Sequence, residues 1–223
     1  MSSFVLKIVA IISMFIDHIG YVIFDKFSYF NYIGRLAFPI FAFQISEGYV
    51  HTKNLKKYFV RLLIFALVSQ IPFMLFHNLF FTRFTLNIFF TLLLGLACIF
   101  IYDKLTNKLI AIIASICIGI FANYFHCDYG FYGVAIILLF YIFKNKKLYM
   151  VSSFIIATGI NYLISILNNG YNDAYLYLFL ATSLSIIPLL FYNGKKGKNT
   201  KYFLYLFYPI HLLFIYFIYI WGI

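Results

Sequence analysis

Nine stretches of roughly twenty mostly apolar residues make up most of this 223-residue chain. About 20 such residues are what an α-helix needs to cross the hydrocarbon core of a bilayer. Inside lipid each backbone N–H and C=O must be satisfied by the chain itself, which a helix does within its own segment. The stretches fall at 4–24, 33–50, 56–77, 85–102, 108–124, 129–144, 148–167, 174–192 and 202–221. The fifth and sixth meet at a short polar junction, Asn123 with His126-Cys127-Asp128, and a reading with eight spans is the alternative. Composition agrees: 65% of residues are hydrophobic and 10% charged, with mean hydropathy +0.96. Soluble domains carry about 45–50% apolar and about 25% charged residues. The expected fold class is therefore all-α, a polytopic membrane helical bundle of about nine helices forming one domain over 1–223.

The net charge is +11. In a soluble protein that would raise nucleic acid as a partner. Here the bases sit in short loops between spans. Lys53, Lys56, Lys57 and Arg61 follow the second span, and Lys104 and Lys108 the fourth. Lys144, Lys146 and Lys147 follow the sixth, and Lys195, Lys196, Lys198 and Lys201 the eighth. With Lys7, one side holds fourteen of the 17 bases, and the other only Lys26, Arg35 and Arg83. The positive-inside rule makes the rich side cytoplasmic and places the N-terminus there. The bilayer, and no nucleic acid, is the expected partner. The first run is long and holds Asp17 and His18, so it reads as a mature helix rather than a cleaved leader. Cys98, Cys117 and Cys127 have no CxxC spacing, and neither a disulfide framework nor a zinc site is expected. Tyrosines gather near span ends, as interfacial belts require. Asn193–Thr200 is a polar, basic turn segment. It reads either as a solvated loop or as a contact for anionic lipid or a phosphorylated ligand.

Polar residues inside such spans are costly, about 2.5–3.5 kcal/mol for an aspartate at a helix centre. Ser13, Asp17 and Gly20 share one face of the first helix by i, i+3 and i+4 spacing, and His18 lies about 100° away. This places a carboxylate and an imidazole around one crevice, either as a structural hydrogen-bond pair or as a proton-transfer site. In the second span Pro39 cannot donate and crowds the Arg35 carbonyl, so a kink is expected. Arg35 either extends its head to the outer interface or pairs with Asp17. Glu47 sits near the inner end, balancing Lys53 or Arg61 or serving a site. Asn87 and Asn161 suit interhelical hydrogen bonds. Pro188 bends the eighth span. Tyr208-Pro209-Ile210-His211 predicts a second kink, with His211 facing the bundle or a cytoplasm-open cavity. His77 and His126 read as outer-loop residues.

These residues carry a resemblance. Lys7 through Asp17-His18-Ile19-Gly20, Ile33-Gly34-Arg35-Leu36-Ala37-Phe38-Pro39-Ile40-Phe41-Ala42-Phe43, Glu47-Gly48-Tyr49 with His51-Thr52-Lys53-Asn54, Tyr58 with Arg61-Leu62, Ser69-Gln70-Ile71-Pro72, Leu86-Asn87-Ile88 and Tyr208-Pro209-Ile210-His211 are similar, in order, to the TraX family. The likeness is dense over residues 7–96 and then sparse until the C-terminal histidine motif. The family is named for a conjugative-plasmid protein that acetylates the N-terminus of F pilin. It resembles the wider transmembrane acyltransferases that modify envelope sugars.

The resemblance implies a bacterial multi-pass plasma-membrane acyltransferase that takes acetyl-CoA from the cytoplasm. The acceptor it implies is a protein such as pilin, or an envelope glycan. It further implies His18 as base with Asp17 as its orienting partner, His211 as the second candidate base, and Arg35 polarising a carbonyl or stabilising an oxyanion. Lys53, Lys57 and Arg61, beside Glu47, would hold the CoA phosphates. Two rivals follow from the residues. The first is a proton-coupled transporter, against which stand few intramembrane carboxylates and no evident matched halves. The second is a membrane assembly factor without transfer activity, for which His18→Ala would be silent.

Overall fold

Each expected span is helical in the computed structural model, and two of them are broken at the position their proline dictates. The structure describes residues 1–24, 28–198 and 201–222; Lys26 lies outside the described residues, as do the side chains of Lys201, Tyr202 and Leu204. The described residues form eleven helices and no strand. They are α1 (Ser3–Phe24), α2 (Tyr29–Gly34), α3 (Ala37–His51), α4 (Leu55–His77), α5 (Ile88–Lys104), α6 (Lys108–Tyr124), α7 (Gly130–Ile142), α8 (Lys147–Asn169), α9 (Asp173–Ser183), α10 (Ile186–Leu190) and α11 (Lys201–Ile220). Four helical stretches are long and apolar enough to cross a membrane: Ser3–Phe24, Leu55–His77, Lys147–Asn169 and Asp173–Leu190. Lys108–Tyr124, Gly130–Ile142 and Tyr205–Ile220 are shorter apolar helices.

The second expected span divides into α2 and α3 at Arg35-Leu36, four and three residues before Pro39. There the backbone tightens to i→i−3 bonds, Arg35 N–H to the Tyr32 carbonyl at 3.2 Å and Leu36 N–H to Ile33 at 3.2 Å. The eighth divides into α9 and α10 at Leu184-Ser185, with Pro188 in the same relation to the break. Pro72 and Pro209 sit inside unbroken helices. A proline cannot bond the carbonyl four residues earlier and its ring crowds that carbonyl; this accompanies a break before Pro39 and Pro188, whereas at Pro209, where a kink is expected, α11 runs on unbroken. The fifth and sixth expected spans are separate helices, α6 and α7, joined by a turn in which His126 and Tyr129 adopt positive φ of 53° and 63°. Asn123 ties that turn down by accepting from Phe131 N–H at 2.7 Å.

The chain groups into two compact units. Unit 1 comprises Met1–Phe41, Ile71–Arg83 and Thr158–Ile223. In it α1 packs on α2 and on α11, and Leu6, Ala10 and Met14 of α1 and Leu212 and Ile215 of α11 are buried. Unit 2 comprises Ala42–Gln70 and Phe84–Ala157. There α5, α6 and α7 pack closely, burying Leu92, Leu96, Ile99, Ala111, Val134 and Ile137. Asn87 caps α5 through Phe89 N–H at 3.0 Å and donates to the Ala66 carbonyl at 2.7 Å and to Gln70 Oε1 at 2.8 Å. It is the interhelical link expected of it. Leu109, Ile113, Ile116 and Ile120 leave one side of α6 at least 43% exposed and apolar. In water such a face would invite association, whereas lipid tails would cover it at no cost.

Candidate functional site

His18 on α1 and His211 on α11 meet directly, Nδ1 of the first against Nε2 of the second at 2.8 Å. The rest of the pair fixes who donates. His211 Nδ1 stands 2.8 Å from the Phe207 carbonyl oxygen. A carbonyl only accepts, so His211 carries its proton on Nδ1. Its Nε2 is then the lone-pair nitrogen and accepts from His18 Nδ1. His18 is thereby held in the tautomer whose Nε2 is unprotonated, the form a general base requires. Among the described residues no hydrogen-bond partner occupies that nitrogen. His211 is 3% exposed and clamped by rings: Phe207 stacks on it at 4.7 Å and 12°, and Phe15 meets it edge-on at 6.2 Å. His18 is half-buried, with Phe76 at 5.0 Å.

Asp17, the neighbour of His18, takes different partners because successive helical residues diverge by about 100°. Its Oδ1 accepts from Asn31 Nδ2 at 3.1 Å and from Arg35 Nη2 at 3.4 Å. Arg35 Nε also donates to the Asn31 carbonyl at 3.2 Å, and Asn31 Nδ2 to the Asp17 carbonyl at 3.1 Å. Asn31 is itself oriented by Ser28, whose N–H donates to its Oδ1 at 2.6 Å. Side-chain exposure of Arg35 and Asp17 is 23% and 15%. The close approach needs Gly34, where a Cβ would lie 2.2 Å from Asp17 Oδ1 and 2.4 Å from Asp17 Cβ. The break before Pro39 thus sets an arginine at the end of α2 facing the α1 carboxylate. Tyr162 of α8, bonded to Thr182 at 2.9 Å, lies within electrostatic reach of Arg35.

Of the residues singled out from the sequence, Asp17, His18, Arg35 and His211 all belong to unit 1. The orienting contact on His18 comes from His211, and that on Arg35 from Asp17 and Asn31. Asn31 escaped notice because it sits in an aromatic run between spans; its spacing of four from Arg35 was the available signal. Glu47, Lys53, Lys57 and Arg61 belong to unit 2. Glu47 Oε2 pairs with His51 Nε2 at 3.4 Å. Asn54 caps α4 by accepting from Lys57 N–H at 2.8 Å, and the Arg61 guanidinium lies over the Tyr58 ring at 5.2 Å. Lys53 and Lys57 are exposed. Unit 2 also holds a carboxylate unremarked in the sequence: Asp103 accepts from Tyr141 at 2.7 Å and from Tyr49 at 2.8 Å.

A family model described as "TraX protein" matches residues 2–219. A Dichelobacter nodosus protein named "Probable fimbrial assembly protein FimC, serogroup H1" is 30% identical over 230 aligned positions, covering 95% of this chain and 93% of that one. An uncharacterized Rickettsia prowazekii (strain Madrid E) protein, RP591, is 26% identical over 236 positions, covering 97% and 91%. No solved structure matches. The chain belongs to the TraX family.

Proposed function

We propose that this TraX-family chain is an integral-membrane acyltransferase, moving an acetyl or short acyl group from cytoplasmic acetyl-CoA to an amine or hydroxyl. The observation that carries the reading is the relay from the Phe207 carbonyl through His211 to His18, which leaves His18 Nε2 as a lone-pair base. In the reaction the acceptor N–H or O–H gives its proton to His18 Nε2 as its heteroatom attacks the thioester carbonyl. A new C–N or C–O bond forms. The tetrahedral intermediate collapses with cleavage of the C–S bond, and the imidazolium returns the proton to the departing thiolate. His211 stabilises the imidazolium by accepting from its Nδ1. Arg35 is the cation for the developing oxyanion, and Asp17 and Asn31 are its positioning residues.

The topology that belongs to this reading has nine spans in the bacterial cell membrane and a cytoplasmic N-terminus. The D. nodosus relative is named for fimbrial assembly. We take a pilus or fimbrial subunit N-terminus as the first acceptor to try and an envelope glycan as the second. The test is CoA-thiol release and acceptor acetylation by purified protein. Substituting His18 by Ala removes the base, a loss of about 10²–10⁴-fold. Full transfer by a His18→Ala/His211→Ala protein would sink the proposal. The same relative's name also favours a second reading, an assembly factor without transfer. Undiminished fimbrial assembly in cells carrying His18→Ala would select it.

A further inference from the structure

The basic segment between α10 and α11 is fastened to the first turn of α1. Asn193 N–H donates to the Met1 carbonyl at 3.0 Å, Ser3 N–H to Lys195 at 2.8 Å and Phe4 N–H to Lys196 at 3.1 Å. The loop carbonyls therefore satisfy N–H groups that a helix start leaves open. Asn193 Oδ1 accepts from Lys195 N–H at 3.1 Å, closing a side-chain turn. Gly197 has φ of +71°, and a Cβ there would lie 2.7 Å from Ser2 Oγ and 2.9 Å from Phe4 Cβ. Only glycine fits so close a seat.

This seat gathers charge. Lys195, Lys196 and Lys198 are exposed, and Lys7, one turn into α1, lies within electrostatic reach of Lys196. Among the described residues none of the four forms an ion pair. Lysines of two other basic loops are engaged by the chain itself. Lys104 pairs with Asp103 at 3.3 Å, and Lys108 donates to the Tyr102 carbonyl at 2.6 Å. Lys144 lies over the Tyr141 ring at 4.2 Å and Lys146 over Tyr149 at 5.4 Å. Ammonium groups held together without carboxylates repel one another and concentrate a positive field that an anion relieves.

We propose that Lys7, Lys195, Lys196 and Lys198 form the seat for the phosphates of the acyl-thioester donor. The proposal rests on the acyltransferase reading and assigns its donor site to unit 1. The seat holds the start of α1 to the segment that precedes α11 in sequence, and α1 and α11 are the helices that bring His18 and His211 together. Lys7 precedes His18 by eleven residues, about 16 Å along a helix axis, a separation suited to a thioester at the end of an extended pantetheine arm. Attraction to anionic lipid would be shared by every basic loop on this side. It gives no reason for one loop to be clamped by backbone bonds onto a histidine-bearing helix.

The experiment uses the full chain in nanodiscs of neutral phosphatidylcholine, with calorimetric titration of coenzyme A and of pantetheine, which lacks the phosphates. Lys195→Gln/Lys196→Gln/Lys198→Gln is expected to weaken coenzyme A binding by at least about tenfold while leaving pantetheine binding alone. The matching Lys→Arg triple variant is expected to retain affinity and shows that the loop still seats. Lys146→Gln/Lys147→Gln controls for net charge and is expected to bind like wild type. Wild-type affinity in the Gln triple variant overturns the assignment and leaves the acyltransferase reading standing, as does loss confined to Lys53→Gln/Lys57→Gln. An effect of the triple variant seen only with phosphatidylglycerol in the bilayer assigns the loop to lipid headgroups and overturns the proposal. Absence of coenzyme A binding by wild-type protein overturns both.

Discussion

Replacing Asp17 by Asn removes the charge facing Arg35 while keeping almost the same shape, so the change isolates electrostatics from packing. Asp17 Oδ1 receives two donors, Asn31 at 3.1 Å and Arg35 at 3.4 Å. Exposure of 15% and 23% for the two charged side chains places the pair between two measured regimes. Exposed pairs contribute about 0–1 kcal/mol, and breaking a fully buried pair costs about 3–5 kcal/mol because a charge is left stranded. The 3.4 Å contact is long for a charge-assisted bond, normally about 2.7–2.9 Å, which argues for the lower half of that interval. Asp17→Asn and Arg35→Gln are each expected to cost about 2 kcal/mol. The double variant is expected to cost roughly 1–2 kcal/mol less than the sum, since each single change already strands its partner. Reversible unfolding of the purified protein in mixed detergent micelles gives all three values. Strict additivity would refute the reasoning, because it would mean that Asp17 and Arg35 do not sense each other.

Three further outcomes are expected. Gly34→Ala forces a Cβ to within 2.4 Å of Asp17 Cβ. No rotamer moves a Cβ away, so unfolding in the same assay should show a loss of about 1–3 kcal/mol. Asn87→Ala removes an N-cap together with an interhelical bond to Ala66 and Gln70. Chemical denaturation should register about 2 kcal/mol, from roughly 1 for a cap and about 0.6–1.7 for a membrane interhelical bond. Asp103 lies beyond the expected 85–102 span, and the Tyr141 and then the Tyr49 phenol, donating to it, hold its carboxyl below the usual carboxylate range. A carboxylate so depressed adds stability above its unfolded value of about 3.9 and loses it as pH falls through the folded value. Stability measured from pH 7 downward should drop in that acid window, and Asp103→Asn should flatten the drop.

The helices and their two breaks were legible because their causes are local. Twenty apolar residues in succession leave the backbone one solution, and Pro39 and Pro188 act on carbonyls four residues away. Asp17, His18, Arg35 and His211 were also legible as costly groups in apolar runs, since each stands out by composition alone. Their pairing was not. Asp17 and His18 look like one unit on paper, yet helical rotation sends them to α2 and α11 respectively. Asn31 shows the converse limit: an amide in an aromatic stretch carries no sign that Ser28 aims it at a carboxylate. The Asp103 cluster escaped for a similar reason, because Tyr49 and Tyr141 resemble every other tyrosine of the interfacial belt. The seating of Lys195 and Lys196 on Ser3 and Phe4 depends on backbone carbonyls, which the letters of a sequence do not distinguish.

The hydrogen bond between His18 and His211 joins residues 193 positions apart, one on α1 and the other on α11. During synthesis α1 is made while its imidazole still lacks the partner that sets its tautomer. That partner arrives only when α11 has been made and has packed beside α1. Any chain cut short before Tyr208-Pro209-Ile210-His211 carries Asp17, His18, Asn31 and Arg35 but leaves His18 without its hydrogen-bond partner. The order of synthesis thus delays the pair: His18 takes up its fixed tautomer only once α11 has been made and has packed beside α1.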